Sequence, residues 1–156
     1  MVFHLKKINE LSGIGCTIYS PVIDNLAQTL FDKFIDENDQ IYPEEIEDIF
    51  YTVEAIGKIG AKETFFKLNE GHLGDGVSAL YDVPRKLRLF CIRYGTEVVI
   101  IGGGAIKEVR KYQEDPKLKL RAEQMILISA AITKILKDCS DEIYWNGNHF
   151  SGTLIK

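Results

Sequence analysis

Arg88 and Lys107 are the residues of this chain best placed by type and spacing to do chemistry. The segment KLRLFCIRYGTEVVIIGGGAIK, residues 86–107, sets Arg88 inside an apolar strand and Lys107 just past a run of glycines. Alternation along such a strand puts Arg88, Phe90 and Ile92 on one face and Leu87, Leu89, Cys91 and Arg93 on the other. A guanidinium among these neighbours is costly unless it is paired. It either meets a core carboxylate or opens onto a phosphate-binding surface, and both readings stay open at this level. Arginine suits a phosphate because its planar fork reaches two oxygens at once.

Other patterns carry less. Gly102-Gly103-Gly104 fits neither the Walker spacing nor the dinucleotide fingerprint, and close packing or a bulge is the simpler use of such glycines. The acid-rich residues 36–48 lack EF-hand spacing and read as a solvated loop and helix start. Cys16, Cys91 and Cys139 are few, distant and odd in number, which argues for unpaired thiols in a reducing compartment and against a zinc knuckle. No metal site or cofactor is expected. No apolar run approaches the roughly 20 residues of a membrane helix, and the first residues show no signal-peptide pattern. The expected setting is cytoplasmic.

The elements that must position these residues follow from periodicity. Residues 2–9 and 14–20 predict two short strands, the second ended by Pro21. Residues 23–36 predict a helix with Leu26, Leu30, Phe31 and Phe34 on one face, followed by a polar loop at 37–40. Residues 43–57 predict a second helix, with Pro43 at its first position, glutamates in its first turn and a buried stripe of Ile46, Ile49, Phe50, Val53 and Ile56. A short helix is expected at 61–69 and a strand at 77–82, stopped by Pro84. Residues 86–94 and 97–102 predict a central antiparallel hairpin turning at Gly95-Thr96. A short helix at 107–113 precedes a long one from Pro116 to about Lys137, capped by Asp115. The tail, 142–156, reads as a final turn or strand. At 156 residues the chain fits one α+β domain.

Charge is unevenly spread. The chain carries a net −4, yet residues 1–83 hold 6 Lys/Arg against 15 Asp/Glu, and residues 84–137 hold 12 against 5. The basic back half suits a polyanion or an acidic partner; equally, the two halves can neutralise each other within one fold.

The order of a helical pair, a short strand, the Arg-bearing "KLRLF" strand, the "EVVIIGGGAIK" strand ending in Lys107 and a basic helix resembles the RelE/HigB-type toxins of bacterial toxin–antitoxin pairs, over about residues 43–137. The resemblance implies an antiparallel sheet packed on N-terminal helices, with a long C-terminal helix behind. Residues 1–42 would extend this core and residues 138–156 would form a tail. It also implies a metal-independent mRNA endoribonuclease acting on the ribosome, held in check by an antitoxin, expected as a helix-turn-helix protein from the neighbouring gene. Arg88 and Lys107 then match the family's strand arginine and the lysine after its long apolar strand. Cleavage through a 2′-OH needs a base, an acid and stabilisation of the phosphorane. Tyr112 is a proton donor by type, and His72 and His149 are acid/base candidates. Arg93, Arg110, Lys111, Lys117 and Arg121 would bind RNA beside Arg88. The alternative is a non-catalytic module of the same fold that recognises a partner protein. The two differ in where Arg88 points and in whether acidic residues cover the basic ones.

Overall fold

The computed structural model describes residues 2–67, 76–80, 86–107, 115–137, 144–146 and 149–151. Among them a six-stranded sheet is built from β1 (Phe3–Lys7), β2 (Thr17–Ile23), β3 (Phe66–Lys67), β4 (Val77–Leu80), β5 (Leu87–Tyr94) and β6 (Val98–Ile106). Three α-helices, α1 (Leu30–Asn38), α2 (Pro43–Ile59) and α3 (Pro116–Lys137), pack on it. In the tail, β7 (Tyr144–Asn146) and β8 (His149–Ser151) form a separate antiparallel pair. The α+β class and the long C-terminal helix are as expected. The sheet is not all antiparallel.

Its strand order is β1-β2-β6-β5-β4-β3, and β2 runs parallel to β6 through Thr17↔Val98, Ile18↔Val99 and Tyr19↔Ile100. The two N-terminal strands thus extend the same sheet instead of standing apart from it. The β5–β6 hairpin is central and antiparallel, as its apolar content and tight turn predict. Strands β4, β5 and β6 are buried on both faces, which explains their nearly continuous apolar runs.

Two cores result. On one face Ile46, Ile49, Val53 and Ile56 of α2 and Phe31 and Phe34 of α1 cover Ile18, Leu87, Leu89, Cys91, Val99 and Ile101. On the other, Leu118, Ala122, Met125, Ile128, Ile132 and Ile135 of α3 cover Val77, Ala79, Phe90, Ile92, Val98 and Ile100.

Several boundaries differ from the sequence reading, each for a local reason. Pro21 lies inside β2 opposite Leu5, beyond the stretch that pairs with β6, so its missing N–H costs no bond on that side. Asp24 and Asn25 then turn the chain with φ of 50° and 58°. The first helix therefore starts at Leu30, leaving Leu26 exposed. Its start is a capping box: Thr29 Oγ1 accepts from Asp32 N at 3.0 Å, and Asp32 Oδ2 accepts from Thr29 N at 3.3 Å. The helix continues through Glu37 and Asn38, where a loop was expected. The second strand begins only at Thr17, because the preceding loop packs on the end of α2. There Gly15 N and Cys16 N both donate to Gly57 O, and a Cβ on Gly57 would fall 2.1 Å from Leu11 O. The helix expected at 61–69 is a single tight turn, Glu63–Phe65, running into β3. The strand expected to stop at Gly102 runs on to Ile106, with its glycines inside it. Pro84 and all but the first residue of the helix expected at 107–113 lie outside the described residues.

Candidate functional site

Arg88 is the second residue of β5, opposite Ala105 of β6 and on the face of Phe90 and Ile92, as alternation predicts. That face is the one α3 covers. Arg88 is 2% exposed and is the largest fully buried side chain of the described residues. A guanidinium in such a position is held by neighbouring groups of the fold and not by solvent. At the start of the strand, Glu45 of α2 accepts from the backbone N–H groups of Lys86 and Leu87, the latter at 3.2 Å.

The glycine run lies beside this site, within β6. Leu89 pairs with Gly104 and Cys91 with Ile101, so Gly102 and Gly103 both oppose Phe90 in a bulge. A Cβ on Gly102 would fall 2.2 Å from Met125 Sδ, and one on Gly104 would fall 1.8 Å from Arg88 O. The glycines let α3 settle on β6 and let β6 approach β5. Close packing, not a phosphate loop, is the use that this geometry gives them.

The other predicted residues do not converge on Arg88. Lys107 follows β6 directly; its N–H donates to Lys86 O at 2.9 Å and its side chain is partly buried. Arg93 points to the α2 side, with Nη2 3.5 Å from Glu63 and its guanidinium 5.5 Å from the centre of the Phe66 ring. Lys117 and Arg121 lie on α3, behind the sheet from Arg93. Both meet Glu37 of α1: Arg121 Nη2 donates to both carboxylate oxygens at 3.2 Å, and Lys117 Nζ stands 3.5 Å away. Every RNA-binding candidate among the described residues therefore faces a glutamate. Arg110, Lys111, Tyr112 and His72 lie outside the described residues, and His149 is described only as part of β8.

Buried thiols and phenols add no nucleophile at neutral pH. Burial pushes the Cys16 thiol up to about 12, against a smaller opposing effect of a backbone hydrogen bond at Val99. Burial also pushes Cys91 up, and Tyr94 too, although a hydrogen bond with Ser129 opposes the latter. Among the described residues no three His, Cys, Asp or Glu side chains gather as a metal site, and no helix is long and apolar enough to cross a membrane.

Sequence reading missed a groove of about 570 Å³ on the α1/α2 side. It is lined by Lys6 and Lys7 at the end of β1, by Asn9, Glu10 and Leu11 after it, by Thr29, Phe31 and Asp32 at the start of α1, and by Phe50 and Glu54 of α2. Phe50 was expected in the buried stripe. It is instead turned toward α1, partly exposed, with its ring edge-on to Phe31 at 5.6 Å. Only that misfit with the stripe hints at the groove, because three separated segments build it. No family model, no curated protein and no solved structure matches the chain.

Proposed function

We propose that the chain is a non-catalytic binding module of RelE/HigB-like build that recognises a partner protein, with Arg88 serving the core. The observation that carries this reading is the burial of Arg88 beneath α3. A phosphate cannot reach a guanidinium sealed between a sheet and a helix. The cations that would have surrounded it are spent on Glu37 and Glu63. Sequence-independent RNA affinity rests on unneutralised cations, and the described surface offers few near this site.

The partner's seat is the groove beside β1. Its lining combines two aromatic rings with charges of both signs, a composition that suits protein recognition. An extended segment suits it, because β1 is an edge strand whose last residues line the groove. The protein of the adjacent gene is the first partner to try. Co-expression should give a complex that survives gel filtration, and Lys7→Glu with Glu54→Lys should weaken it at least tenfold with the melting temperature unchanged. The reading fails if both variants bind as the wild type does.

An mRNA endoribonuclease is the second reading. It is favoured by the element order, in which a helical pair precedes an Arg-bearing strand and a long strand running into Lys107. Induced growth arrest together with metal-independent RNA cleavage, both lost in a stably folded Lys107→Ala protein, would replace the first reading with this one.

A further inference from the structure

Helix α3 is apolar on two opposed sides. Its inner side fills the core, and its outer side carries Leu120 and Leu127, which are 64% and 60% exposed. With Glu123, Ala130 and Lys134, all exposed, they occupy positions 120, 123, 127, 130 and 134. That is heptad spacing with apolar residues at three of the five positions, about 22 Å long at 1.5 Å per residue.

We infer that this seam pairs α3 with α3 of a second copy of the chain, antiparallel about a two-fold axis. The occupant follows from the seam's own complementarity. In antiparallel helix pairs each first-position residue layers with a fourth-position residue of the other helix. Centring the axis between 128 and 129 places Leu127 on the second copy's Ala130, large on small. The same register places Glu123 on the second copy's Lys134, opposite charges together. Two-fold symmetry makes each pairing occur twice. A parallel pair would instead set Glu123 on Glu123 and Lys134 on Lys134, like charges at two layers. Leu120 lies at each end, over the last turn of the opposing helix. The seam is short of a standard interface and two of its five positions are charged, so the dimer is a weak one that forms with rising concentration. The outer face of α3 lies across the sheet from the groove of the proposed function, so neither reading depends on the other.

Sedimentation velocity across a micromolar-to-millimolar series tests it. The wild type should shift from monomer to dimer, and Leu127→Asp should remain monomeric with an unchanged circular dichroism spectrum. Glu123→Lys and Lys134→Glu should each weaken association about tenfold, and the double reversal should restore it to within about twofold. A wild type that stays monomeric at every concentration overturns the inference. So does a dimer indifferent to Leu127→Asp, or one that the double reversal leaves as weak as the single variants.

Discussion

Arg88 and Arg93 lie five residues apart on one strand and meet opposite fates. Arg93 is at the strand's end, on the α2 face, with Glu63 and the Phe66 ring against it and part of its side chain in water. Arg88 is next to the strand's start, on the α3 face, and is cut off from solvent. The residue type is the same, so its location decides what it can do. A cation left partly in water with an exposed partner adds little to stability. A cation sealed in a core is committed to the fold, and losing it leaves a large hole and disturbs whatever holds its charge.

Substitution at the two arginines is the strongest way to break that comparison. Arg88→Ala should destabilise the fold by about 3 kcal/mol or more. For a chain of this length that lowers Tm by about 6–12 °C. Arg93→Ala should cost about 1 kcal/mol or less. Thermal unfolding followed by circular dichroism reads both. Equal losses would mean that Arg88 is not committed to the core as its burial indicates, and would return it to the list of functional residues.

Which face a residue takes was legible in the sequence; what covers that face was not. Alternation placed Arg88 with Phe90 and Ile92 correctly, because strand periodicity is local. The β5–β6 hairpin and α2 were legible for the same reason, through an apolar run around Gly95-Thr96 and through Pro43 with its acidic first turn. The parallel pairing of β2 with β6 joins Thr17 to Val98, and no local signal announces it. The capping box at Thr29 and Asp32 was present in the sequence, but apolar spacing from Ile23 onward masked it. Glu37 looked like part of a solvated loop, since nothing local ties it to Arg121, 84 residues away. The groove went unseen because Phe50 fits the helical stripe as well as Ile49 does.

The glycine run sharpens the comparison on a smaller scale. Gly104→Ala drives a methyl group into the backbone carbonyl of Arg88, which cannot move without breaking the β5–β6 ladder. Gly102→Ala meets Met125, a flexible side chain that can turn aside. The first should cost about 3 kcal/mol and the second about 1–2 kcal/mol, within the usual range for overpacking. Pairing Gly102→Ala with Met125→Leu should change the cost of the glycine substitution, whereas the same partner change should leave that of Gly104→Ala as it was. Urea unfolding midpoints measure all of these. If Gly102→Ala proves the worse of the two, α3 sits on the bulge more rigidly than the contact with Met125 implies.

The smallest stability change should carry the most information about function. Glu37→Gln removes the carboxylate that Arg121 and Lys117 share, at an exposed site where the loss should be about 1 kcal/mol or less. The fold should survive with two cations released on α3. If internal neutralisation is what keeps this surface from binding RNA, the variant should gain affinity for single-stranded RNA at low salt. The gain should fade as salt rises, with a slope steeper than the wild type's by about 1–2. Fluorescence anisotropy at several ionic strengths reads it directly. The control is Glu37→Gln combined with Arg121→Gln, which should give back most of the gain. A wild type that already binds RNA tightly, with Glu37→Gln adding nothing, would place the binding cations elsewhere and give the endoribonuclease reading the advantage over the binding module.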